Sequence, residues 1–251
     1  MKLLLYETRL QWALAIFLAL IAGYLDGYGL LFLGAYVSFM SGNTTIAGLR
    51  SGQHNFHAAV PSVIAVLSFV TGSFLGNLFS QSRLRYSHRL IFGLIASLLA
   101  TVAGLERHGW SIGASQIAML SLAMGMMNPA LSKIGPESVS LTFMTGTLSK
   151  IGGHLAGAAA RNPLPEGQGP GDSHLARARI DATVWSAFLA GAGLSGMAGS
   201  HSRMWALVPP CVAMIALALF SERATPPSRS GPQPSIPGLR SADNSVSNEL
   251  I

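Results

Sequence analysis

The chain has 251 residues, half of them apolar and only 10% charged, with a mean hydropathy of +0.45. A soluble domain carries about a quarter charged residues, so this composition excludes the ordinary soluble classes and places the chain in a bilayer. The formal charge of +6 does not point to nucleic acid, because the basic residues form no dense patch. The one cysteine, Cys211, allows no intramolecular disulfide and reads as a packing residue.

Windows of about 20 mostly apolar residues, the length that crosses the hydrocarbon core as a helix, predict six spans near residues 11–33, 59–81, 89–106, 111–131, 181–200 and 204–221. Residues 1–10 are expected as a short cytoplasmic N-terminus. The following apolar run resembles a secretory signal, but it lacks a small-x-small cleavage site and continues past Asp26, so it is read as an uncleaved first span. Gly23, Asp26, Gly27 and Gly29 interrupt that span and predict a break or kink near its outer third.

Residues 34–52 are too polar for a lipid-facing span and too apolar for an ordinary loop. They suit a helix packed against protein, or a re-entrant piece. In the second span Gly72 and Gly76 form a small-xxx-small step, readable as a close helix crossing or as chance in a chain with 28 glycines. The turn at Gly109 to Ser111 makes an antiparallel hairpin of the third and fourth spans and divides the chain into halves, 11–108 and 111–221. The fourth span ends at Asn128-Pro129, and a second polar segment follows over residues 138–160. Residues 161–173, NPLPEGQGPGD among them, read as an irregular cytoplasmic loop. The fifth span carries Gly191, Gly193, Gly196 and Gly199. Residues 222–251, rich in Pro and Ser, read as a disordered cytoplasmic tail.

The two halves share a motif. Gly23, Asp26, Met40, Ser41, Gly42, Thr44 and Gly48 recur as Gly125, Asn128, Met144, Thr145, Gly146, Leu148 and Gly152, with two extra residues before the second Met. With three spans per half, the second copy enters the membrane upside down, as in inverted repeats. Charge placement agrees: with the N-terminus inside, 13 Lys and Arg fall inside and only Arg50, Arg107 and Arg203 outside. The expected fold is therefore all-α, a polytopic transmembrane bundle of about six spans plus two polar motif helices, in two inverted halves, with both termini cytoplasmic.

Asp26 is the acidic residue well inside a predicted span, and a carboxylate there costs roughly 2.5 to 3.5 kcal/mol even on lenient scales. It could bind a proton, a cation or a solute, or it could cap a helix start near Gly27 by bonding free amides. Its counterpart, Asn128, can bond amides but cannot titrate, which argues that the shared role is backbone bonding. The hydroxyls and amides beside the motif glycines can coordinate a cation or a polar solute, or satisfy their own helices. The candidate substrate or ion path comprises Asp26, Ser41, Gly42, Asn43, Thr44, Asn128, Thr145, Gly146 and Thr147. Lys150 and His154 share a helix face; Lys150 either meets an anionic solute or snorkels to the interface.

No Walker sequence, GxSxG elbow, CxxC, HExxH or carboxylate cluster is present, so the chain is expected to be a non-enzyme without cofactor or metal. The expected partners are the lipid bilayer and an unknown small solute, without nucleic acid. The function expected first is a small-solute secondary transporter or channel-like carrier with its site between the halves. The alternative is a non-transporting assembly or sensory module acting through partners.

Gly23-Tyr24-Leu25-Asp26 followed by Phe39-Met40-Ser41-Gly42-Asn43-Thr44 and Gly48 resembles the YoaK-like family of bacterial integral membrane proteins, a domain of unknown function, over residues 11–221. The family pattern is Gly-x-x-Asp and then F-x-x-M-[ST]-G-N-T; here Val37-Ser38-Phe39 stand directly before Met40, and the Met-Ser-Gly-Asn-Thr run is intact. The resemblance implies a multi-pass inner-membrane protein of about six spans and no established substrate.

Overall fold

In the computed structural model the described residues are 2–82, 87–109, 113–131, 144–164, 172–201 and 205–220, with side chains left aside for residues 2–10 and at positions 130, 131, 200 and 201. The predicted tail at 222–251, most of the Pro/Gly loop, and the segment joining Asn128-Pro129 to the second motif lie outside them.

Eight α-helices form among the described residues: α1 Lys2–Tyr28, α2 Met40–Gly52, α3 Phe56–Gln81, α4 Ser87–Arg107, α5 Gly113–Met127, α6 Met144–Ala159, α7 His174–His201 and α8 Val208–Phe220. No strand occurs among these residues. Helix α1 starts at Lys2, so residues 2–10 continue the first helix. Its far end is the predicted irregularity: Gly29–Leu33 widens into a π-helical turn that stops at Gly34. Gly34 sits at φ 70°, where a side chain would be strained, and its amide bonds back to the Gly29 carbonyl. The fourth predicted span is the shorter α5 continued by a 3-10 turn, Asn128–Leu131. The sixth begins at Val208 rather than residue 204.

Three helical stretches, Gln11–Leu33, Phe56–Gln81 and Ser87–Arg107, are long and apolar enough to cross a membrane, and α5 and α8 are shorter apolar helices. Outward-facing Val63, Leu67, Val70, Phe74 and Leu78 make an apolar stripe along α3, and Val208, Val212, Ile215 and Leu219 another along α8. Such stripes suit contact with lipid and are costly in water. Inside, Leu18, Leu25, Tyr28, Ile91, Leu99 and Met124 belong to one cluster drawn from both halves.

Two close crossings hold the halves together. In the first, α1 lies on α7: a Cβ at Gly23 would strike the Phe188 carbonyl, and one at Gly191 the Leu20 carbonyl. In the second, α3 lies on α5: a Cβ at Gly125 would strike the Phe69 carbonyl, and one at Gly72 the Leu122 carbonyl. The crossings are built alike. Gly23 and Leu20 stand to Gly191 and Phe188 as Gly125 and Leu122 stand to Gly72 and Phe69. Where lipid supplies no hydrophobic drive between helices, such backbone approach is what packing energy depends on. Gly72 and Gly76 are thus a working step, Gly76 lying against Met126, whereas Gly193 and Gly196 of α7 meet no neighbour.

The contacts also fix direction. Gly23 meets Phe188 and Gly27 meets Ala192 and Ser195, so α1 and α7 run parallel; Gly72 against Leu122 and Gly76 against Met126 make α3 and α5 parallel. The end of α1 meets the end of α4 and the start of α5, because the Tyr28 hydroxyl and the Gln116 amide both reach Glu106. Helix α1 therefore ends at the face from which α3 and α5 depart, and α1 and α5 run in opposite senses.

A long-range clamp joins α1 to the turn before α8, where the Tyr24 hydroxyl donates to the Ala206 carbonyl at 2.5 Å. Tyr24→Phe keeps the ring and strands that carbonyl, so it is expected to cost about 1 to 2 kcal/mol, read as a lower midpoint of thermal unfolding in detergent.

Candidate functional site

The first motif folds around the reversal between α1 and α2. After Gly34 the chain turns back along α1 until Val37 and Ser38 lie beside Asp26. One Asp26 oxygen, Oδ1, accepts from the Val37 amide at 2.8 Å and the Ser38 amide at 2.7 Å. The other, Oδ2, accepts from the Ser38 hydroxyl at 2.6 Å. Asp26 is only 4% exposed. The carboxylate is thus engaged on both oxygens, and the expected cap near Gly27 is corrected: the amides it bonds lie at the far end of the reversal, just before α2. These amides have no helical or sheet partner of their own, and leaving them bare in the interior would cost about 1 to 3 kcal/mol each.

Asn43 completes the fold of this segment. Fully buried, it accepts from the Tyr36 amide at 3.2 Å and donates to the Tyr36 carbonyl at 2.7 Å. That pair imitates a backbone ladder and locks the reversal onto the first turn of α2. A Cβ at Gly42 would press on the ring of Phe39, which packs edge-to-face with Tyr36. Thr44 and Thr45 spend their hydroxyls on the carbonyls of Met40 and Ser41 one turn back.

Motif residues therefore divide by direction. Asp26 and Asn43 point inward and are consumed by backbone bonds; Ser41, Thr44, Thr45 and Gly48 are exposed. In the second copy Thr147 is buried, Gly146 half-buried and Thr145 exposed, and Asn128 sits half-buried in the 3-10 turn after α5. Helix α2 packs on α3 and α6 on α7, and α2 with α6 is not among the helix pairs that pack together. The end of α1 and the start of α3 lie at one face of the bundle, and the end of α5 and the start of α7 at the opposite one. A groove of about 310 Å³ between α4 and α8, lined by Gly93, Ala96, Ala100, Ile215 and Ala218 among others, touches none of these residues.

Three polar arrangements emerge only in the fold. Asp181, at the start of the fifth predicted span, lies inside α7, which begins at His174, and is buried at 5% exposure. His154 meets His174 through their Nδ1 atoms at 3.0 Å, tying α6 to the start of α7 beside the Arg177–Asp172 ion pair. Most notable is a cluster at the face where α1 ends. Gln116, fully buried in the first turn of α5, donates from Nε2 to Glu106 Oε1 at 2.8 Å, and the Tyr28 hydroxyl lies 3.4 Å from the same oxygen. A glutamine one turn into an apolar helix was the available signal.

The profile of the family described as "Protein of unknown function (DUF1275)" matches residues 14–220, nearly all of the helical bundle. The chain belongs to that family. Among its relatives, the UPF0700 transmembrane protein RA0705 of Rhizobium meliloti (strain 1021) is 35% identical over 142 residues, 56% of this chain and 59% of its own length. The UPF0700 transmembrane protein YoaK of Bacillus subtilis (strain 168) is 29% identical over 140 residues, 53% of this chain and 62% of its own. The chain thus spans about three-fifths of the length of these relatives. No solved structure matches it. These relatives and the apolar helices together make the chain a multi-pass membrane protein of the DUF1275 family.

Proposed function

We propose that the chain is a small-solute secondary carrier of the bacterial inner membrane, with six crossing helices, two re-entrant motif helices and both termini cytoplasmic. The observation that carries this reading is the matched pair of glycine crossings, α1 on α7 and α3 on α5, whose helices run parallel within each pair and in opposite senses between the pairs. Two like halves inserted in opposite orientations around a shared seam provide two exchangeable arrangements of nearly equal energy, which alternating access requires.

The motif serves this machine as its hinge fastening. Asp26 and Asn43 hold the re-entrant turn, so the solute path runs where polar atoms at the helix seams stay unbonded. The Ser121 hydroxyl on α5 and the Ser195 hydroxyl on α7 are fully buried and find no protein partner, as do groups that meet water or a passing solute. The chain acts without enzymatic chemistry, cofactor or nucleic acid in this reading.

The second reading, an assembly or sensory module working through partners, draws support from the sealed state of Asp26. Purified protein in liposomes, challenged with a panel of small solutes with and without ion gradients, separates the two. The carrier reading expects saturable, gradient-dependent flux that falls at least tenfold when Ser195 is replaced by leucine. No flux for any solute, together with loss of the cellular phenotype on deleting residues 222–251, would establish the module instead.

A further inference from the structure

The two halves make the same junction from different chemistry. The spacing that matches Met40 to Met144 also matches Arg50 to His154, and the one that matches Gly72 to Gly191 also matches Asn55 to His174. In the first half residues 53–55 join α2 to α3, and the Asn55 amide donates to the Arg50 carbonyl at 2.9 Å. In the second half the longer stretch 160–173 intervenes, and the corresponding positions are tied by side chains, with the Nδ1 atoms of His154 and His174 3.0 Å apart. A backbone bond is indifferent to pH, and an imidazole pair is not. One Nδ1 must donate and the other must be bare, whichever tautomers are present. Once both rings are protonated every ring nitrogen carries a hydrogen, and the contact sets two donors and two like charges against each other.

We propose that the His154–His174 pair is a proton-released fastening, which holds the second motif helix, α6, on α7 near neutral pH and lets it go in acid, while α2 stays fixed to α3. The His174 ring is seated against Gly157, where a Cβ would crowd it, and its Nε2 is buried without a hydrogen-bond partner. A charged ring kept there would hold an N–H donor with no acceptor, so protonation favours its exit to water. Neighbouring charges do not cancel a second proton. Lys150 stands one turn before His154 on α6, Asp172 pairs with Arg177 at the start of α7, and Asp181 lies two turns further along it. Parallel packing of α1 on α7 places Glu7 and Arg9 near the level of His174. Anions among these groups are no more numerous than cations, so no surplus of negative charge stabilises the doubly protonated pair. Imidazole takes up its proton between about pH 5 and 8, so the tie is complete above that range and lost as pH falls through it. The fastening is a property of the fold and stands apart from the carrier reading.

The test is a distance measurement between spin labels on the full chain in detergent, with EDTA present and in a Cys211→Ser background. One label pair sits at exposed Leu155 and Leu175, on α6 and α7, and a reference pair at exposed Leu49 and Phe56, on α2 and α3. The α6–α7 pair should give one short distance at about pH 8 and a longer one in most molecules at about pH 5, with the midpoint inside the imidazole range. The α2–α3 pair should not change. His154→Gln and His174→Gln each keep a group that can accept from a protonated imidazole or donate to a neutral one, so each should hold the short distance throughout. The proposal is overturned if the α6–α7 distance is the same at both pH values with both histidines present, or if both glutamine variants keep the full transition. Parallel opening of the α2–α3 pair would also overturn it, because the change would then be general acid unfolding.

Discussion

Alanine at Gly191 or Gly23 is expected to destabilise the bundle by about 3 kcal/mol, with leucine preventing accumulation of folded protein. The added Cβ meets backbone rather than the end of a flexible side chain: the Leu20 carbonyl in one case and the Phe188 carbonyl in the other. Backbone in a packed helix cannot step aside alone, so the whole α1 and α7 crossing must open. The same substitution at Gly72 or Gly125 should cost a similar amount, because the α3 and α5 crossing has the same construction. Gly48, Gly152 and Gly153 supply the contrast. A Cβ at these positions meets nothing within 4 Å, so alanine there should raise stability by up to about 1 kcal/mol through helix propensity. Midpoints of thermal unfolding in detergent across these variants separate crossing glycines from incidental ones. Equal losses at Gly191 and Gly152 would refute the crossing model.

The second large effect is at Asp26, and its value lies in the contrast between two replacements. Asp26→Leu removes the acceptor for the Val37 and Ser38 amides and the Ser38 hydroxyl, and is expected to cost about 3 to 5 kcal/mol. Asp26→Asn keeps one oxygen able to accept both amides, and the Ser38 hydroxyl can rotate to accept from the new NH₂. Its expected cost is about 1 kcal/mol, with flux in liposomes retained. Asparagine is also what the second half carries at the matching position, Asn128. A proton-coupling role predicts the opposite ranking for flux, with Asp26→Asn inactive although folded.

Much of this was legible from residues alone. The apolar windows, the duplicated motif and the positive-inside asymmetry yielded the helical membrane class, and the paired Asp26 and Asn128 already pointed to backbone bonding. What sequence could not supply were the partners. Asp26 meets Val37 and Ser38 only because the chain reverses at Gly34, a geometry that depends on one left-handed glycine and a widened helical turn. Gly72 and Gly193 look equally suited to close packing, and only the position of α5 makes one essential while the other stays open. Glu106 and Gln116 are ten residues apart in different helices, so neither shows periodic or motif signal until the hairpin folds.

In the proposed carrier the halves enter from opposite faces, with α2 re-entrant. The most direct measurement is sided labelling of single cysteines at Gln53, His108 and Asn162 in a Cys211→Ser background, using an impermeant thiol reagent on intact cells and on inverted vesicles. The account predicts that Gln53 and His108 label from the outer face and Asn162 only from the cytoplasmic face. Labelling of Gln53 and His108 only from the cytoplasmic face would show that α2 crosses the membrane, and the inverted arrangement would not stand.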